Sequence, residues 1–316
     1  MNTPLKKTIF RLVDVCVFPL MILSVPLFRM IRRYGVKYFP LSRYLFLRQG
    51  VFPIRDHYYE PLFLLPKDFE GGKKRELKLD LSLEKQLQAL NRLQYSEELK
   101  VFPETAVAGG FYVRNPNFGP GDWDLYYLLI RNHQPRNIIE IGSGFSTLVA
   151  HEAIRKNRQE GILTKMTCIE PYENKWLETL PDITLIRQTV ETVSPDLFET
   201  LEENDILFID SSHVIRPEGD VLFEYLTVLP RLKKGVIIHV HDIFTPRHYR
   251  SDWLDTEFRF WNEQYLLEAF LYFNDHFEIM YAANFLKHEA CQDTARVLTT
   301  LTQNDEPSSF WMRKVK

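Results

Sequence analysis

The chain has 316 residues, 45% hydrophobic and 14% aromatic, enough to bury a sizeable core and to hold one large domain with an appendage. Its 39 Lys and Arg against 42 Asp and Glu leave a net charge of −3, which excludes the cationic, phosphate-tracking surface of a nucleic-acid binder. Three cysteines, Cys16, Cys168 and Cys291, lie far apart with no C-x-x-C spacing, which argues against a disulfide framework or a zinc ribbon and suits a reducing compartment.

The N-terminus differs from the rest. Between Asp14 and Arg29 lie 14 uncharged residues, VCVFPLMILSVPLF, short of the roughly 18 to 20 that a bilayer-spanning helix needs. Lys6, Lys7 and Arg11 precede this run and Arg29, Arg32, Arg33 and Lys37 follow it, so both flanks favour an anionic, cytoplasmic membrane face. Pro19 and Pro26 each remove a helical hydrogen bond, so the expectation over residues 1–37 is a bent, in-plane or re-entrant membrane anchor. A true span and a buried helix of a soluble protein are the alternatives; a signal peptide is disfavoured, because no small-residue cleavage site follows.

Residues 38–110 form a linker and helical region. The stretch 38–56 alternates basic and apolar groups, as a segment against a membrane or a domain surface does. KDFEGGKKRELKLD, with paired glycines, reads as a loop, and LSLEKQLQALNRL as an amphipathic helix.

Residues 111–316 read as the main domain. Apolar runs of strand length at 137–141, 165–170, 183–188, 205–210 and 235–242 alternate with helical patterns at 146–156, 173–180, 195–202 and 219–229, the signature of a parallel sheet with crossover helices. A strong helix, WNEQYLLEAFLYFN, follows, and then two strands, FEIMYAA and SSFWMRKV, which suggest an antiparallel return at the end of the sheet.

In IIEIGSGFST the first strand ends at Glu140 and Ile141, and Gly142, Ser143 and Gly144 form the turn into a helix, a loop that lets backbone approach a ligand closely. Thr147 occupies the position where a dinucleotide fingerprint wants a third small residue, which counts against NAD. Glu170, at the end of the second strand, stands where a carboxylate can accept from two ribose hydroxyls; the bland reading is a solvated acid capping the next helix.

EIGSGFST, CIEPYENKWL, LFIDSSHVIRPEGDVLFEYLTVLPRLKKGVIIHVHDIF and FWNEQYLLEAF together resemble a class I S-adenosylmethionine-dependent methyltransferase, of the branch related to macrocin and mycinamicin sugar O-methyltransferases. The resemblance covers residues 112–315 and implies a Rossmann-like α/β fold, a seven-stranded sheet with helices on both faces. It implies that Glu140, Gly142 and Gly144 hold the methionine and ribose part of S-adenosyl-L-methionine, that Glu170 binds the ribose diol, and that Gln188 and Thr189 flank the adenine. Ser143 in the same loop and Asp210 are counted with the cofactor site.

Ligands of a parallel sheet bind outside the carboxyl ends of its strands, so Asp210, His213, His241 and Asp242 are expected on one rim. Asp210, His241 and Asp242 would offer two oxygens and a nitrogen to a divalent ion such as Mg²⁺ or Mn²⁺. His213, with an ordinary pKa near 6.5, is the expected base for an acceptor hydroxyl; the resemblance likewise implies Asp210 as metal ligand and His213 as base. His241 stands where metal-dependent relatives have an acid, so a hydrogen-bonded His241 without metal is the alternative. His239, two residues deeper, reads as a core histidine, and Asn115, Phe118 and Asp122 as either contacts or plain loop structure.

The function expected is methyl transfer to a hydroxyl of a small-molecule or glycan acceptor, a sugar or lipid-linked glycan, by a protein held at the cytoplasmic face of a membrane, with no nucleic-acid partner and with homo-oligomerisation left open. A metal-dependent hydroxylase using His213, His241 and an Asp, or a non-catalytic membrane scaffold, are the alternatives.

Overall fold

The computed structural model describes residues 4–51, 54, 57, 69, 71–106 and 109–316, and the chain divides into two compact units, Met1–Lys67 and Asp68–Lys316. Within the stretch 38–56, residues 52, 53, 55 and 56 lie outside the described residues, as do 67, 68 and 70 of the expected polar loop.

The first unit is built on α1 (Pro4–Tyr34), a helix of 31 residues that is about 46 Å long at 1.5 Å per residue. This corrects the expected bent anchor. Both Pro19 and Pro26 lie inside one continuous helix, and its stretch Lys7–Tyr34, whose most apolar 18-residue window has a mean hydropathy of 2.0, is long and apolar enough to cross a bilayer. Counting uncharged residues stopped at Asp14 and Arg29, whereas the helix runs past both, with Arg11 and Asp14 three residues apart on one face. After α1 the chain turns at Gly35 into α2 (Pro40–Gln49), which starts on Pro40 and ends at Gly50 in the left-handed region, φ 68°. Phe46 packs on Phe28 with ring centroids 5.7 Å apart, which ties α2 to the end of α1.

The second unit holds one sheet of seven strands in the order β3-β2-β1-β4-β5-β7-β6, with β1 (Asn137–Ile141), β2 (Lys165–Ile169), β3 (Ile183–Ile186), β4 (Ile206–Ile209), β5 (Ile237–Val240), β6 (Phe277–Ala282) and β7 (Phe310–Lys314). The first five are mutually parallel, and β7 is antiparallel to both β5 and β6, the return that the terminal strands suggested. Alternate residues of each strand face two separate cores. Ile138, Met166, Ile206 and Ile237 face one with α4 (Asp122–His133) and α5 (Phe145–Gln159); Ile139, Ile169, Leu207 and Ile238 face the other. That second core takes Val221 of α6 (Asp220–Phe223), Leu229 of α7 (Leu229–Arg231) and Leu267 of α8 (Glu263–Tyr272), with a π-turn between α6 and α7. The helix expected in LSLEKQLQALNRL is α3 (Leu83–Leu90), and α9 (Ala283–Ala295) fills the link between β6 and β7.

Two expected crossover helices are single 3₁₀ segments, Lys175–Thr179 and Pro195–Thr200. The first begins after Asn174 in the left-handed region, φ 55°, and the second after Ser194, whose hydroxyl accepts from the amide of Asp196.

Candidate active site

All five parallel strands end on the same edge, and there a cavity of about 800 Å³ opens. Gly142, Ser143 and Gly144 line it beyond β1, Glu170 beyond β2, Thr189 beyond β3, Asp210 and His213 beyond β4, and His241 and Asp242 beyond β5. Gly142 has φ 74°, and a Cβ there would lie 1.9 Å from the carbonyl oxygen of Asp210, so the loop takes its path only with glycine. Thr147 Oγ1 accepts from the amide of Gly144 at 3.0 Å, so this threonine caps α5.

Glu170 Oε1 accepts from the amides of Tyr172 and Glu173, each at 2.8 Å, and Oε2 from the amide of Ser143 at 3.3 Å. The bland capping role and the rim position therefore coexist in one side chain: the turn amides fix the carboxylate at the cavity wall. Ser143 is nine-tenths buried and its hydroxyl has no partner beyond the neighbouring Cys168 thiol, which leaves it open to a polar ligand in this cavity. The cradle thus fits a ligand with a diol and polar tail.

Glu140 departs from its expected place. It is fully buried beneath the loop, outside the cavity wall, and accepts from Ser146 Oγ, with Cys168 Sγ 3.8 Å away. Burial pushes its carboxyl from 4.5 up to about 8, against the hydrogen bonds from Ser146 and Thr147 that favour the charge. Gln188 is not part of the wall, whereas its neighbour Thr189 is.

At the other end His213 occupies the left-handed region, φ 61°, with Nε2 3.2 Å from Asp210 Oδ1 and 3.4 Å from Asp242 Oδ2, and Nδ1 2.8 Å from Glu263 Oε2. Burial opposes a charge on this ring, but the hydrogen bonds to Asp210 and Glu263 and the nearby Asp242 outweigh it and hold the imidazole well above 6.5. Both ring nitrogens thus face carboxylates, Nε2 those of Asp210 and Asp242 and Nδ1 that of Glu263. Asp210 responds in the opposite sense, its burial being outweighed by His241 and His213, which hold it below the usual carboxylate value.

The set Asp210, His241 and Asp242 is corrected in its middle member. The donor atoms that come within 4.8 Å of one another are those of Asp210, His213 and Asp242. His241 Nε2 reaches only Asp242 Oδ1, at 3.7 Å, and its ring lies against Phe118, centroids 5.3 Å apart. Two carboxylates facing the cavity and one imidazole backed by a further carboxylate are a donor set that fits a divalent cation. A two-histidine, one-carboxylate triad, which the hydroxylase reading needs, does not form among the described residues.

His239 is structural as expected: fully buried, hydrogen-bonded through Nε2 to Ser309 Oγ at 3.0 Å, stacked on Phe208 at 3.9 Å, and held well below its ordinary pKa by burial. Asn115 bonds within its own loop, to the carbonyls of Tyr112 and Phe118. Asp122 stands behind the wall, accepting from the amides of Ser308 and Ser309; burial raises it to about 6, with His241 opposing. Phe118 and Trp253 line the cavity, joined by Trp261. Glu263 went unrecognised; an acid inside the apolar pattern FWNEQYLLEAF was its one signal.

A doubly wound sheet with an antiparallel β7, a glycine loop after β1 and an acid after β2 put a candidate ligand site at the carboxyl ends of the parallel strands. Residues 139–243 match the family described as a methyltransferase domain. An uncharacterized protein of Archaeoglobus fulgidus is 32% identical over 168 residues, 48% of this chain and 74% of that protein. Among solved structures, the apo structure of CmcI-N160 is similar at 15% identity and a TM-score of 0.38, over 63% of this chain and 72% of that one. The O-methyltransferase from Bacillus cereus in complex with SAH is similar at 13% identity and a TM-score of 0.35, over 74% and 91% of the two chains. TomG from Streptomyces achromogenes, in complex with SAM, is similar at 17% identity and a TM-score of 0.31, over 77% and 92%. Residues 139–243 form a methyltransferase domain of the matched family.

Proposed function

We propose that the protein methylates a hydroxyl group, an O-methyltransferase whose acceptor is a sugar or lipid-linked glycan presented at a membrane. The observation that supports this reading is one continuous cavity, with a cofactor cradle at Gly142 to Gly144 and Glu170 and a rim of Asp210, His213 and Asp242. S-adenosylmethionine supplies an electrophilic methyl group there. Glu170 would hold the ribose diol, its carboxylate already oriented by two turn amides, and the loop amides and Ser143 hydroxyl would hold the methionine end. Glu140 would act from below, keeping Ser146 and the loop in register.

Alignment of acceptor and methyl group is the chief requirement of a displacement at carbon. Trp253 and Trp261, rings 5.1 Å apart at the cavity wall, give a polyhydroxylated ring an apolar surface to pack on. The hydroxyl proton would leave to solvent at the open rim, where the Asp210 side chain is 34% exposed. Asp210 and Asp242 are the carboxylates that would hold a divalent cation, which would lower the pKa of a bound hydroxyl. The helix α1 would keep the domain at the surface where a lipid-linked acceptor resides.

Calorimetric titration with S-adenosylmethionine, with and without Mn²⁺, followed by S-adenosylhomocysteine release over a panel of sugars and glycolipids, tests the reading. Binding of the cofactor and release with a hydroxylated acceptor are expected. No binding at millimolar cofactor, or methylation confined to nitrogen or sulfur acceptors, would overturn it.

A further inference from the structure

We infer that His213 is a metal ligand in this chain and that Glu263 is the residue that positions it, so that the cation site is Asp210, His213 and Asp242. The inference rests on the reading of the rim as a divalent-cation site and specifies its composition. Neighbouring donors around a six-coordinate ion with bonds near 2.1 Å stand about 3 Å apart. His213 Nε2 lies 3.2 Å from Asp210 Oδ1 and 3.4 Å from Asp242 Oδ2, spacings that a shared ion requires only small movements to use.

The ring is held in that attitude from behind. Glu263 Oε2 takes Nδ1 at 2.8 Å, with the two side chains 1% and 5% exposed, the carboxylate–imidazole pairing that fixes a ligating histidine in one tautomer with the other nitrogen turned to the ion. The amides of Asn262 and Glu263 both donate to the carbonyl of His213, at 3.0 and 3.2 Å, and the Trp261 ring covers the imidazole with centroids 4.4 Å apart. The segment Trp261, Asn262, Glu263 therefore clamps backbone and ring of His213 together, and gives the FWNEQ motif a task that a cofactor cradle does not.

His241, the residue at the end of β5 that sequence pattern put forward as ligand, stands aside with its ring against Phe118. The ligand set that remains, two carboxylates and one imidazole, favours a borderline ion such as Mn²⁺ over Mg²⁺.

The test uses the full-length protein in detergent, titrated with Mn²⁺ alone and followed by calorimetry and by the loss of the free-ion electron paramagnetic resonance signal. Wild type is expected to bind Mn²⁺ more tightly than Mg²⁺. Glu263→Gln should weaken Mn²⁺ by about 10- to 100-fold while S-adenosylmethionine affinity in metal-free buffer stays within twofold. His213→Asn should abolish tight binding, and His241→Gln should leave it unchanged. Unaltered Mn²⁺ affinity in both Glu263→Gln and His213→Asn, each with a wild-type unfolding temperature, would overturn the inference while leaving the rim a cation site. Absence of Mn²⁺ and Mg²⁺ binding to wild type at millimolar concentration would remove the underlying reading as well.

Discussion

Gly142 and Asp210 lie so close that a Cβ on Gly142 would sit 1.9 Å from the carbonyl oxygen of Asp210 and 2.9 Å from its carbonyl carbon. The end of β4 and the loop after β1 are thus one packed unit, and the Asp210 carboxylate is aimed by the glycine. In Gly142→Ala the clash involves backbone on both sides and the residue keeps φ 74°, so no side-chain rotation relieves it. A loss of stability of about 2–4 kcal/mol and a fall of at least tenfold in S-adenosylmethionine affinity are expected, measured by thermal unfolding and calorimetry. Wild-type values for both would show that the loop does not approach Asp210 as described.

Glu170 carries a separable prediction, because its carboxylate is fixed by the amides of Tyr172 and Glu173 whether or not a ligand is present. Hydrogen bonds to a charged group contribute about 1.5–3 kcal/mol each. Glu170→Ala should therefore weaken S-adenosylmethionine by about 10- to 1000-fold, and Glu170→Gln, which keeps one acceptor oxygen, by less. A 2′-deoxyadenosyl analogue should bind wild type weakly and lose little more in Glu170→Ala. Equal losses for cofactor and analogue would move the ribose contact elsewhere.

The parts legible in sequence were those whose signal is local. Each parallel strand is a short apolar run, as in Ile206–Ile209, bounded by turn residues, so existence and order could be read. The rule that ligands lie beyond the strand ends then placed Asp210, His213 and Asp242 together. Helix α4 escaped because DWDLYYLLIRNH is buried nearly all round and shows no polar face, and its two leading acids looked like loop chemistry. Glu263 escaped for a different reason: it is 50 residues from His213, and an acid in a helical pattern reads as solvated surface until the fold shows it buried. The surroundings of His213 were legible only in part, since Asp210 and Asp242 lie beside it on the rim whereas the third carboxylate, Glu263, comes from a distant helix.

The buried Glu140 predicts how stability depends on pH. Its carboxyl is raised from 4.5 to about 8 in the folded protein, so the unfolded chain releases that proton at a lower pH than the folded one does. The contribution to stability is fully present below about 4.5 and is lost as pH rises through about 8. Glu140→Gln keeps a neutral group of the same shape, which can still accept from Ser146. It should flatten this part of the profile and stabilise the protein on the order of 1–3 kcal/mol at pH 8, with little change at pH 4.5. Chemical denaturation at both pH values reads the difference. A variant equally destabilised at both would mean that the charged carboxylate supports the loop.

The helix α1 exposes apolar side chains along its length, Phe10 at 69% and Leu23 at 74% among them, and none of its most apolar 18-residue window is buried in the protein. Such a surface is not stable in water and calls for a lipid or protein cover. The second unit, Asp68–Lys316, has its own two cores and carries the whole sheet. Removing residues 1–34 should therefore release the protein from membranes without lowering S-adenosylmethionine affinity by more than about twofold, a change under 0.5 kcal/mol. Full-length protein should stay with the membrane pellet in alkaline carbonate, and the truncated form should move to the supernatant. Extraction of the full-length protein by carbonate would make α1 a surface contact, whereas continued sedimentation of the truncated form would place the membrane attachment beyond residue 34. In an anionic membrane the positive residues Arg29, Arg32, Arg33 and Lys37 should hold the C-terminal end of α1 at the headgroups. Changing all four to Gln should then reduce the preference for anionic over neutral vesicles.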